Sequence, residues 1–100
     1  MSTVYLDPRH ARMLVKIFEG IPSINKAAIF GSRALGTHKE GSDIDIVLYG
    51  SVNEKILGQI RNAIDDTALP YFVDVIPYDS IDNPALVQHI DDHARVIFAR

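Results

Sequence analysis

Hydrophobic and polar positions alternate between two periods along the chain. Asp7-Pro8 opens a helical stretch, because Asp can cap free N–H groups and Pro suits the first helical position. Ala11, Leu14, Val15, Ile17 and Phe18 follow as an apolar stripe that Gly20 ends. The run Ala27–Phe30 predicts a short buried strand stopping at Gly31. Residues 32–42 predict a loop, with room for one helical turn at Ser32–Leu35. Asp43–Tyr49 predicts a second strand, with Asp43, Asp45 and Val47 on one face and Ile44, Ile46 and Leu48 on the other. Ser51 with Glu54 three residues on has the form of a capping box. Ile56, Leu57, Ile60, Ala63 and Ile64 give the helical stripe that follows. Beyond Pro70, Tyr71–Ile76 predicts a third strand. Asn83-Pro84 opens a last helix with Leu86, Val87 and Ile90 inward. The apolar tail Val96-Ile97-Phe98 fits either a short strand or a docked terminus. Alternating helices and strands predict an α/β fold, a small mixed β-sheet with packed helices.

Composition narrows this picture. One hundred residues, 47% of them hydrophobic, suit one domain spanning 1–100. The absence of cysteine excludes disulfides, thiolate metal sites and cysteine nucleophiles. No window reaches the ~18 unbroken apolar residues of a membrane span. Met1–Asp7 lacks the basic and apolar regions of a secretory signal, so a cytoplasmic location is expected. The net charge of −3 argues against a long nucleic-acid track.

Asp is depleted in strands, yet Asp43, Asp45 and Asp74 fall in β runs. Asp43 and Asp45 are two apart, so their carboxylates leave one sheet face about 6.6–7 Å apart at the backbone. The helix between the second and third strands suits a parallel crossover, which would set Asp74 beside them. Three neighbouring carboxylates repel unless cations neutralise them. Paired carboxylates can hold two divalent cations about 3.5–4 Å apart, and an oxygen-only donor set suits Mg²⁺ or Mn²⁺. Gly31, directly after a strand, lets a ligand approach the backbone closely. Ser32 offers a hydroxyl and an N–H to a phosphate oxygen. Phosphate binding beside a two-metal site is equipment for phosphoryl or nucleotidyl transfer.

Gly31-Ser32, ten residues, then Asp43-Ile44-Asp45, with a third acid at Asp74, resembles the DNA polymerase beta-type nucleotidyltransferase superfamily. Gly-Ser-Arg-Ala-Leu-Gly at 31–36 and Gly-Ser-Asp-Ile-Asp-Ile-Val-Leu at 41–48 carry the resemblance, which extends over roughly residues 8–98. Its nearest branch is the minimal nucleotidyltransferases, small proteins often paired with a HEPN-domain partner. The resemblance implies the nucleotidyltransferase fold, ATP as substrate and two Mg²⁺ ions. Asp43 and Asp45 would hold both ions, and Asp74 would hold one and orient the attacking hydroxyl. Gly31 and Ser32 would hold the triphosphate, and Arg33 would supply a charged contact to the nucleotide. Some such proteins act as antitoxins that attach AMP to a tyrosine of a HEPN toxin. Many of these have Arg where this chain has Leu35.

Two rival readings stay open. One is a non-catalytic module that neutralises a HEPN-like partner by contact. The other is a transferase acting on a small molecule or nucleic acid, which the negative charge disfavours. His38 and Lys39 read as exposed loop residues, and Tyr49, Tyr71 and Tyr78 as packing residues. His89 and His93 share a helix face at zinc-protease spacing, but Ile90 stands where the required Glu would be. His93 instead suits a helix C-terminus as a dipole-compatible group.

Overall fold

A computed structural model describes residues 5–39 and 41–100. The chain runs through α1 (Pro8–Glu19), β1 (Ile24–Phe30), α2 (Ser32–Leu35), β2 (Ile44–Gly50) and α3 (Glu54–Asp65). It continues through β3 (Val73–Pro77), a 3₁₀ turn (Tyr78–Ser80), α4 (Pro84–His93) and β4 (Arg95–Ala99). The strands form one mixed sheet in the order β3-β2-β1-β4. β1 pairs antiparallel with both β2 and β4, and β2 pairs parallel with β3. The α/β mixed sheet expected from the sequence is the fold observed. Among the described residues, no helix is long and apolar enough to cross a membrane.

Helices cover both sheet faces, and each face has its own core. On one face Leu14 and Phe18 of α1 and Leu57, Ile60 and Ile64 of α3 pack on inward residues of the sheet. On the other, Ile90 and Leu86 of α4 pack against Ala28, Phe30 and Val47. β1 is therefore central in the sheet and covered on both sides. That is why Ala27–Phe30 is a continuous buried run instead of an alternating one. Leu14 and Phe18 are fully buried, each worth about 1.5–3 kcal/mol of apolar transfer. Val15 departs from the expected stripe. It lines the outer side of α1 with Arg12 and Lys16, because 3.6-residue spacing turns it away from the Leu14–Phe18 face.

The helix ends follow capping chemistry. Asp7 Oδ1 accepts from the Arg9 N–H at 2.8 Å, and Pro8 occupies the first turn of α1. The Arg9 guanidinium also donates to both Asp7 oxygens. These contacts hold the Asp7 carboxyl well below its ordinary range, with the side-chain bonds from Arg9 the largest cause. Asn83 Oδ1 caps α4 through the Ala85 N–H. At α3 the expected Ser51–Glu54 capping box is corrected. Asn53 is the cap, its Oδ1 accepting from Ile56 N–H at 2.9 Å. Ser51 N–H is already committed to the Ser23 carbonyl at the end of the sheet, so the helix starts two residues later.

Strand limits also shift. β1 begins at Ile24, three residues before the apolar run. β3 starts at Val73, although the Phe72 carbonyl already accepts from Ile44 N–H. The tail, left open between strand and docked terminus, is β4. Arg100 follows β4 and closes the fold. Its guanidinium donates to the carbonyls of Phe18, Glu19, Ile21 and Ile24, where α1 ends and β1 begins. A cation there also complements the negative end of the helix dipole.

Candidate active site

Three elements bring the candidate residues to one end of the sheet. β1 delivers Gly31 at its C-terminal end, while β2 and β3 carry acids at their N-terminal ends. Asp45 is the partner of Phe30 on one side and of Asp74 on the other. Period-two alternation puts both acids on the face that α4 covers, because Ile44, Ile46, Val73 and Val75 point into the opposite core. Asp43 is exposed and precedes β2 by one residue.

The electrostatics follow from this placement. The Asp45 carboxyl is pushed above its ordinary 3.8, first by burial, then by the charges of Asp74 and Asp43. Among the described residues, no three His, Asp or Glu side chains converge tightly enough to form a ready-made cation site. A cation between Asp45 and its acidic neighbours would relieve both the repulsion and the burial cost at Asp45. Asp43, Asp45 and Asp74 offer only carboxylate oxygens, which would match a hard divalent ion such as Mg²⁺. Asp74 is solvent-exposed and also lines a groove of about 500 Å³ with Arg61, Thr67 and Phe72.

Gly31 closes against Asp45. It sits at φ +74, a conformation that side-chain-bearing residues rarely adopt. A Cβ there would lie 2.8 Å from Asp45 Oδ2, so only hydrogen leaves room beside the carboxylate. The Gly31 carbonyl accepts from the N–H groups of Ala34 and Leu35, starting α2. Ser32 is the first residue of α2, and Gly31 is the N-cap.

Arg33 is only 4% exposed. Its Nε and Nη2 donate to the Ser42 carbonyl at 3.2 and 3.0 Å, and Nη1 donates to the Tyr5 carbonyl at 2.9 Å. Its guanidinium also lies 4.5 Å over the Tyr71 ring. Arg33 thus ties three segments together next to Asp43 as an internal clamp. Leu35 is exposed on the outside of the same turn. His38 packs its ring against Tyr5. Tyr49 and Tyr78 stack at 4.9 Å, with Lys26 over Tyr49 and the Tyr78 hydroxyl donating to Asp91.

One residue of the site was not marked by the sequence. His89 of α4 accepts a hydrogen bond from the Gly31 N–H through Nε2 at 2.9 Å. In the sequence its one signal is the spacing from His93, which points to zinc chemistry the chain lacks the residues for.

A strand-end glycine-serine turn set against paired strand carboxylates on a mixed sheet defines a nucleotidyltransferase-type fold. The chain belongs to the polymerase beta nucleotidyltransferase family, whose model matches residues 12–100. The search of curated proteins returned no match. Solved structures share the fold. A toxin–antitoxin crystal structure with AMP-PNP has a TM-score of 0.73 at 22% identity, covering 90% of this chain and 73% of that one. An MntA–HepT toxin–antitoxin structure has a TM-score of 0.64 at 17% identity, covering 94% and 74%. A Shewanella oneidensis complex of a tri-AMPylated HEPN toxin with an MNT antitoxin has a TM-score of 0.61 at 17% identity, covering 92% and 71%.

Proposed function

We propose that this chain transfers AMP from ATP to an acceptor hydroxyl on a HEPN-type partner protein and thereby acts as an antitoxin. The observation that carries the reading is the Asp45–Asp74 pair with Gly31 laid against Asp45. Membership in the nucleotidyltransferase family supports the reaction class. The likeness to antitoxins solved with HEPN toxins, one of them AMPylated, supports the acceptor.

In this reading Asp43, Asp45 and Asp74 hold magnesium. When bound, magnesium would neutralise charge on the entering and leaving oxygens of the phosphoryl group. Gly31 and Ser32 receive the triphosphate, the glycine by close backbone approach and the serine by its hydroxyl and N–H. Asp74 faces solvent and accepts the proton of the incoming hydroxyl. The hydroxyl oxygen forms a bond to the α-phosphorus as the bond to the bridging oxygen breaks, and pyrophosphate leaves.

The test is co-expression with the neighbouring gene product, followed by intact mass of what co-purifies. The expected result is a partner heavier by one or more AMP groups with wild type and unmodified with the Asp43→Asn, Asp45→Asn double variant. A partner of unmodified mass bound equally by both proteins would replace catalysis with neutralisation by contact.

A further inference from the structure

We propose that His89 is a positioning residue for nucleotide binding, which it serves by holding the Gly31 amide. The inference rests on the transfer reading above and adds a residue that neither the sequence motif nor the acids supply.

Gly31 lies past the last β1–β2 pair, Phe30 with Asp45, and before the first residue of α2. Its N–H therefore belongs to neither ladder. A partly buried backbone donor needs an acceptor, and across 58 residues of sequence His89 provides it. An Nε2 that accepts carries no proton, so the ring proton sits on Nδ1. The Gly31 carbonyl is fixed separately by Ala34 and Leu35. Both polar groups of Gly31 are thus held, which sets the plane of the 30–31 peptide and the entry into Ser32.

Packing alone does not call for a histidine here. The ring meets Phe30 edge-on, with centroids 6.3 Å apart, and Ile90 and Leu86 already supply the apolar contacts of α4. A phenylalanine would fill the same space. An acceptor nitrogen is required by the amide alone. The neighbouring His93 ring lies 5.3 Å away, tilted by 44° to that of His89.

The experiment compares wild type, His89→Phe and His89→Gln in the full chain. It measures MgATP affinity by calorimetry, hydrogen exchange of the Gly31 amide and melting temperature. His89→Phe removes the acceptor and keeps a ring, and His89→Gln keeps an acceptor. The expected result is that His89→Phe weakens MgATP binding about tenfold and speeds Gly31 exchange by a similar factor, the scale of one unsatisfied donor. His89→Gln stays within about threefold of wild type on both. Where His89→Phe does not fold, His89→Asn, whose shorter side chain withdraws the acceptor, gives the same contrast with His89→Gln. A His89→Phe or His89→Asn protein that melts lower but binds MgATP as wild type does would overturn the inference and leave the transfer reading standing. A wild type that binds no MgATP would overturn the transfer reading itself, and this role with it.

Discussion

Asp45 and Asp74 are direct partners in the parallel β2–β3 ladder, and the Asp45 carboxyl is pushed above its ordinary value by burial and by its acidic neighbours. A raised acid costs stability at neutral pH. Below the unfolded value of 3.8 the group is protonated in both states and costs nothing. As pH rises past that value the unfolded chain ionises first, and the folded state loses stability until the raised folded value is passed. Asp45→Asn is therefore expected to melt at or above the wild-type temperature at pH 7. The difference should shrink as pH falls toward 4. Thermal melts of both proteins across this range check it, and a variant that melts well below wild type at pH 7 would contradict the assigned strain. The same variant should lose transfer.

Magnesium should reverse that cost. Binding to the folded state alone at about five times the dissociation constant adds ~1 kcal/mol. For a domain of this size that raises the melting temperature by about 4–8 °C. EDTA should remove the gain, and Asp45→Asn should show little of it. An equal shift in wild type and variant would place the ion elsewhere on the molecule.

Gly31→Ala tests the closeness of the turn to the acids. Alanine there must hold φ +74, and its Cβ would lie 2.8 Å from Asp45 Oδ2. With ψ −150 this is a region essentially open to glycine alone, and the backbone strain is about 1–3 kcal/mol. Urea unfolding should show a loss of at least that size, and transfer should fall with it because the carboxylate has to move. A variant of wild-type stability would mean the turn relaxes freely.

Much of this arrangement was legible from two periods. Alternation in 43–48 separated acids from core, and the helical stripe of 56–64 implied a crossover that would make β2 and β3 parallel. Those two facts set Asp74 beside the acids of β2, while the register that pairs it with Asp45 is seen only in the structure. What was not legible depends on partners distant in sequence. Asn25 and Lys26 interrupt the apolar pattern, yet they belong to β1, because Lys26 lies over Tyr49 and the Asn25 carbonyl accepts from Arg100. The tail could not be assigned because its strand exists only by pairing with β1. His89 carries no local signal for its bond to Gly31, since 58 residues separate donor and acceptor.

Arg33 shows the same limit and yields a sharp test. Beside a glycine-serine turn a guanidinium suggests a phosphate contact, but here it is buried and bonded to the carbonyls of Ser42 and Tyr5. Lysine cannot reproduce this, because one ammonium lacks both the planar fork and the flat face over Tyr71. Arg33→Lys is expected to cost about 2–3 kcal/mol in urea unfolding, the scale of buried carbonyls left unpaired. MgATP affinity, measured well below the melting temperature, should change by less than about threefold. A phosphate ligand would behave in the opposite way, since losing a charge-assisted fork weakens binding by about tenfold or more with little effect on stability. The two measurements on one variant therefore separate a clamp from a ligand.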